Sequence, residues 1–147
     1  MQMTLKACLV IAACLPLLAL ADDPQPVKDA TALREACSEY AEAGMRDCLI
    51  KQSKESEQVL EKASKSAATR IAEWDEDQRY IEKASAALET SNQRFIHYRN
   101  GQCQLAASLS GGAAGNAREI RRLSCIAELN YGRAEQLTHA VSGLAVK

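Results

Sequence analysis

Two stretches bounded by cysteines decide the fold of this chain: CSEYAEAGMRDC at residues 37–48 and CQLAASLSGGAAGNAREIRRLSC at residues 103–125. Each stretch contains glycine between its cysteines, which is typical of a turn between two helices. Four cysteines allow three pairings. Crossed pairings would require all four sulfur atoms to gather at one end of the domain. We therefore expect the neighbours to pair across short loops: Cys37 with Cys48, and Cys103 with Cys125.

The first 21 residues are expected to be a secretory signal peptide. Lys6 is followed by an apolar run over residues 7–20, and small residues at Ala19 and Ala21 suit a cleavage site. The run is shorter than the roughly 20 residues that a membrane-spanning helix needs. The alternative is a lipoprotein signal with lipid on Cys14, but the apolar run continues beyond that residue. We expect export to the periplasm or the medium, after cleavage near Ala21, where disulfides persist.

The remaining chain is expected to form one domain of residues 31–143 after a flexible lead-in at residues 22–30. Without the leader, the chain has 17 Lys and Arg residues against 19 Asp and Glu residues, so its net charge is about −2. Such a charge does not indicate nucleic-acid binding. Few aromatic residues, and no proline after Pro26, favour an all-α fold.

The apolar pattern predicts a bundle of about four helices, two of them long and antiparallel. Thr31 is expected to cap the first helix, and Gly44 is expected to break it. The second helix should run over residues 46–73, with a largely solvent-facing middle at residues 51–65. Asp75, with Gln78 three residues later, resembles a capping box before the third helix.

The third helix has the clearest periodicity, because Ile81, Leu88 and Phe95 repeat every seven residues. Tyr98 and Leu105 occupy intermediate positions of this seam, which predicts lengthwise packing on other helices. A glycine-rich loop should end the helix, and a fourth helix is expected over residues 116–141.

The sequence has no arrangement of residues typical of an enzyme or a metal site. His97 and His139 stand apart from any nucleophile motif, and the glycines at 111, 112 and 115 lack the lysine of a phosphate-binding loop. The cysteine spacing is not that of a zinc or redox site. We therefore expect no enzyme activity, no cofactor, no metal site and no membrane span in the domain.

Two arginines stand out from the exposed ones: Arg99 follows the aromatic stretch of the third helix, and Arg133 lies between Tyr131 and Leu137 on the facing helix. Inside a bundle, each guanidinium is expected to bind a carboxylate or the carbonyl groups of a helix end. The alternative is that one of them is presented to a partner.

Several motifs in a fixed order resemble the LprI-type lysozyme-inhibitor domain of exported bacterial proteins. They are Asp47-Cys48-Leu49, then Phe95-Ile96-His97-Tyr98-Arg99 followed by Cys103, then Cys125, and then Arg133 with Leu137. The resemblance extends over about residues 37–137. Related chains often have tryptophan where this one has Phe95.

The resemblance implies a non-enzymatic protein that binds another protein, with lysozyme as the partner that the family name suggests. The alternative is a structural or accessory periplasmic module with no hydrolase target. Lysozymes are usually cationic outside and carry a catalytic carboxylate pair in the cleft. A candidate binding element is the loop over residues 110–116, which is slim enough to enter a groove, with Arg118 beside it to meet a carboxylate. The residues of this candidate are Ser110, Gly111, Gly112, Asn116 and Arg118.

Overall fold

The computed structural model describes residues 28–112 and 115–147. Its four helices are α1 (Ala30–Ala36), α2 (Glu42–Ala72), α3 (Gln78–Ser108) and α4 (Asn116–Ser142). These confirm the all-α bundle and the number of helices that the sequence predicts. At 27 residues, α4 is a third long helix, where two were expected. Within the described ranges, no helix is both long enough and apolar enough to cross a membrane.

The expected signal peptide at residues 1–21, with Cys14, lies outside the described residues, as does most of the lead-in. The end of the lead-in caps α1, because Asp29 Oδ1 accepts hydrogen bonds from the backbone N–H groups of Thr31 and Ala32, each at 2.8 Å. The cap is thus Asp29 and not Thr31, since its side chain reaches two free N–H groups of the first turn.

Two other helix boundaries differ from the sequence-based expectation. Gly44 lies inside α2 and does not break a helix. A Cβ atom at Gly44 would lie 2.9 Å from Cβ of Tyr40, so the glycine permits a close approach of the preceding turn. The cap of α3 is Asp77 and not Asp75, because Asp77 Oδ1 accepts a hydrogen bond from the Arg79 N–H at 3.0 Å.

The three long helices run up, down and up. Leu49 and Leu123 share a core cluster near the N-termini of α2 and α4, whereas Ile71 and Val141 share another near the C-termini, so these two helices are parallel. The α3 helix is antiparallel to both. The sequence analysis predicts this orientation for the pair of α2 and α3. The α4 helix contacts each of the other three, and its contact with α2 is the most extensive.

The face that α2 turns toward α4 consists mostly of small side chains. Its buried residues are Leu49, Ser53, Ser56, Ala67 and Ile71, and Leu60 and Ala63 are partly buried. Successive members are three or four residues apart, which is the spacing of a seam between packed helices. The expectation of a solvent-facing middle at residues 51–65 is therefore wrong on this side of the helix, because two serines within it are covered by α4.

The predicted seam on α3 holds only for its first half. Ile81 is buried and Leu88 packs on the same cluster, but Tyr98 and Leu105 are exposed, which corrects the expectation for both. A seven-residue repeat drifts around a straight helix by about 20° per heptad, so the later members rotate out of the core. In the second half, Cys103 and Ala107 are the buried residues of α3.

Both predicted disulfides are present, with Cα–Cα distances of 5.8 Å for Cys37–Cys48 and 5.5 Å for Cys103–Cys125. The first joins the end of α1 to α2, and the second joins α3 to α4. All four sulfur atoms do lie at one end of the bundle, near the N-termini of α2 and α4. The pairs are kept apart because they belong to separate core clusters on different sides of α4.

A polar network crosses the middle of the bundle. Asn130, on α4, is completely buried and donates from Nδ2 to Ser56 Oγ on α2 at 3.0 Å. Its Oδ1 accepts a hydrogen bond from Arg99 Nη1 on α3, also at 3.0 Å. One side chain thus connects all three long helices, and it fixes their register because a shifted helix would leave buried polar groups unpaired.

Removal of either disulfide should lower the free energy of unfolding, by slightly more for the bond that closes the longer loop. The double variant Cys103→Ala/Cys125→Ala should lose about 3 kcal/mol of unfolding free energy. Cys37→Ala/Cys48→Ala should lose slightly less, because the Cys37–Cys48 bond closes the shorter loop. Urea titration of the oxidised proteins measures both values. Unchanged unfolding midpoints would contradict a stapling role.

Asn130→Ala should lower the free energy of unfolding by about 1–3 kcal/mol, because it removes the two hydrogen bonds that join α4 to Ser56 of α2 and to Arg99 of α3. The matched control is Asn100→Ala, which removes the other, exposed amide partner of Arg99. We expect the control to change stability by less than about 0.5 kcal/mol. Equal effects of the two variants in thermal or urea unfolding would refute the bridging role of Asn130.

Candidate functional site

The residues that carry the family resemblance divide into core and surface positions. Leu49 and Leu137 are buried in the clusters that α4 forms with α2. Asp47 is exposed and pairs with its neighbour Arg46 at 3.1 Å. An exposed pair of this kind contributes little to stability. Most of these motifs therefore encode the bundle and its disulfides.

Phe95 and Tyr98 lie on α3 but differ in burial. Phe95 is half-buried beside α4, with the Arg133 guanidinium 5.7 Å from the centre of its ring. Tyr98 is 57% exposed. Both side chains line a cavity of about 330 Å³, together with Glu128 and Gln136 of α4.

Arg99 and Arg133 bind neutral groups and not the carboxylates or helix-end carbonyls expected of them. Arg133 Nη2 donates to Ser91 Oγ at 2.8 Å and to Asn92 Oδ1 at 3.1 Å. Partial burial lowers the pKa of Arg133, because desolvation disfavours the charged guanidinium. In the described part of the chain, neither arginine forms an ion pair. Both therefore connect α3 to α4 while keeping an uncompensated positive charge.

The glycine loop (residues 110–116) connects α3 to α4 at the end of the bundle that carries the disulfides. Gly111 has φ of 60° and Gly115 has φ of 74°, which is a backbone region that favours glycine. Gly111 and Gly112 are exposed, whereas Ser110 and Asn116 are half-buried. The described part of the loop is thus slim, and its backbone requires glycine at two positions.

Cations follow the glycine loop on the first turns of α4. Arg118 and Arg121 are exposed, and neither forms an ion pair in the ranges that the structure describes. By contrast, Arg122 donates two hydrogen bonds to the carboxylate of Glu119, at 2.9 Å and 2.6 Å. The Arg122 guanidinium lowers the pKa of Glu119, so this acid stays ionised. The negative charge of Glu119, the acid nearest the loop, is therefore already paired with Arg122.

Charge is unevenly distributed between the two halves of the described chain. Residues 28–90 carry ten Lys and Arg residues against fourteen Asp and Glu residues, a net charge of −4. Residues 91–147 carry seven against three, a net charge of +4. The span from Asn100 to Ala117 has no charged residue at all. The uncharged surface around the loop could have been predicted from this span, but the motifs considered in the sequence did not indicate it.

No catalytic or metal-binding constellation was found in the described residues. His97 and His139 are both exposed, and no group of three or more histidine, cysteine, aspartate or glutamate side chains within residues 28–112 and 115–147 is placed to hold a metal ion. A groove of about 760 Å³ lies between α2 and α4 and has Val59, Ala63 and Tyr131 in its lining. The candidate site that remains is the end of the bundle where the loop lies beside the exposed Arg118 and Arg121.

The chain was compared with known proteins. The family model described as Lysozyme inhibitor LprI matches residues 34–137. The comparison with curated proteins gives no match, and neither does the comparison with solved structures. Because the family match covers most of the chain and includes both disulfides, this chain belongs to the LprI lysozyme-inhibitor family.

Proposed function

We propose that this protein is exported, binds a lysozyme and inhibits it by placing the glycine loop in the active-site cleft. The observation that carries the proposal is the family match over residues 34–137. Export is supported by the two disulfides, which persist in oxidising compartments, and by the signal-like leader at residues 1–21. The destination would be the periplasm or the medium.

The shape of the loop suits entry into a cleft. Gly111 and Gly112 have no side chains to collide with the walls of a groove, and a Cβ atom at either position would meet nothing within 4 Å. The Cys103–Cys125 disulfide ties the two helices that flank the loop. A loop held in this way loses little conformational freedom on binding, which favours affinity.

The charge around the loop suits a cleft that contains carboxylates. Glycoside hydrolases commonly use two carboxyl groups that flank the scissile bond. Arg118 is exposed in the first turn of α4, two residues after the loop, and its guanidinium can bind a carboxylate with two parallel hydrogen bonds. The N-terminus of α4, at Asn116, adds the positive end of a helix dipole. Binding there would hold a catalytic carboxylate away from substrate.

The test of the function is a cell-wall lysis assay. The purified, oxidised protein is titrated against c-type, g-type and i-type lysozymes, and lysis is followed as loss of turbidity. We expect saturable inhibition of at least one type, which is lost after reduction of both disulfides because the loop loses its anchor. Far-UV circular dichroism of the oxidised protein is the folding control. Absence of inhibition by folded, oxidised protein would favour an accessory module without a hydrolase target.

Arg118→Glu should weaken inhibition about tenfold or more, because it replaces a carboxylate-binding cation with a like charge. The matched control is Lys83→Glu, a charge reversal on an exposed residue near the opposite end of the bundle. We expect the control to inhibit like the wild type. Equal inhibition by the wild type and Arg118→Glu would remove Arg118 from the mechanism.

A further inference from the structure

A line of apolar side chains on α3 is left uncovered by the bundle. Tyr98 is 57% exposed, Leu105 is 52% exposed and Leu109 is 67% exposed. Gly101 lies between the first two, and a Cβ atom there would have no neighbour within 4 Å. The four positions are three or four residues apart, so they share one face of the helix. We call this surface, consisting of Tyr98, Gly101, Leu105 and Leu109, the α3 stripe.

The composition of the α3 stripe is that of an interface centre. Centres of protein–protein interfaces are poor in charged residues and rich in aromatic ones. The stripe lies almost wholly in the span from Asn100 to Ala117, which has no charge. Single exposed apolar residues are common on proteins, but a continuous line of them in a charge-free region marks an interaction site.

We propose that the α3 stripe is the docking surface for the lysozyme, against the wall of the cleft that the glycine loop enters. This inference rests on the proposed function and adds the surface that would supply most of the affinity. Leu109 is the C-cap residue of α3 and directly precedes Ser110, so the stripe and the loop are continuous. A partner that covers the stripe is therefore in position to receive the loop.

The position of the α3 stripe is fixed by covalent and packing constraints. Cys103 lies between Gly101 and Leu105 on the opposite, buried side of α3, and its disulfide holds this half of the helix against α4. Upstream of it, Arg99 connects α3 to Asn130 of α4. The stripe is thus presented on a rigid helix, and docking does not require that segment to fold.

The charges beside the stripe suit the acidic cleft of a lysozyme. The half of the chain that carries the stripe, residues 91–147, has a net charge of +4, although the stripe itself lies almost wholly in a span without charge. The acidic half of the chain, residues 28–90 with a net charge of −4, would attract the cationic exterior of the enzyme. The exposed arginines after the loop, Arg118 and Arg121, would then face the acidic groups of the cleft. The basic residues after the loop thus suit the cleft, and the acidic half of the chain suits the exterior of the enzyme.

The test compares two variants that replace exposed aliphatic residues with glutamine, a polar residue of similar size. Leu105→Gln/Leu109→Gln removes the apolar character of the stripe, and Ile50→Gln is the matched control on α2, where Ile50 is 44% exposed. Binding is measured by calorimetry with the lysozyme type that the wild type inhibits, and inhibition is measured in the lysis assay. We expect the double variant to bind about 30-fold or more weakly, as for central interface residues, and the control to bind like the wild type.

A third variant, Val59→Gln, tests the groove between α2 and α4 as a rival surface. Circular dichroism and thermal unfolding must show that each variant folds like the wild type. If the wild type binds and the double variant binds equally well, the α3 stripe is not the docking surface, although the proposed function stands. A loss of binding confined to Val59→Gln would lead to the same conclusion. A wild type that binds no lysozyme would overturn the proposed function and the docking surface together.

Self-association is distinguished by light scattering after size exclusion. A wild-type dimer that Leu105→Gln/Leu109→Gln converts to a monomer, with lysozyme binding unchanged, would assign the stripe to a second copy of this chain. That result would overturn the proposal. A monomeric wild type that loses lysozyme binding in the double variant is the expected outcome.

Discussion

The parallel packing of α2 against α4 is the constraint on which the rest of the structure depends. Small side chains on α2, including Ser53 and Ser56, are buried beneath α4. Two consecutive helices joined by a short turn run antiparallel, so parallel neighbours need a long connection between them in the chain. The α3 helix provides that return, and its own core contact is largely with α4.

Because α4 is shared by every other helix, its polar residues determine the register of the whole bundle. Asn130 binds Ser56 of α2 and Arg99 of α3 in one network. Arg133, three residues later, binds Ser91 and Asn92 of α3. These bonds are directional and the apolar contacts are not, so the polar residues select one alignment among those that the small-residue seam would permit.

The two disulfides concentrate covalent restraint at one end of the molecule, where the glycine loop lies. A short loop between restrained helices can remain exposed without loss of the fold, since the core clusters beneath it contain Cys103, Cys125 and Ile126. The same restraint holds the exposed second half of α3. Restraint, an uncharged surface and exposed arginines occur together at this end, and this combination distinguishes it from the acidic turn at residues 73–77.

The sequence by itself determined the four helices, both disulfide pairs and the family, because these depend on local apolar spacing, loop length and short motifs. Tertiary structure alone decided which members of the α3 seam are covered: Ile81 is buried, whereas Leu105 is exposed, since a straight helix turns a seven-residue repeat away from its partner. It also decided that Arg99 and Arg133 bind amides and hydroxyls, because their partners are 31 to 42 residues away along the chain. The glycine loop could be identified from composition, but the apolar surface continuous with it depends on how α3 lies against α4.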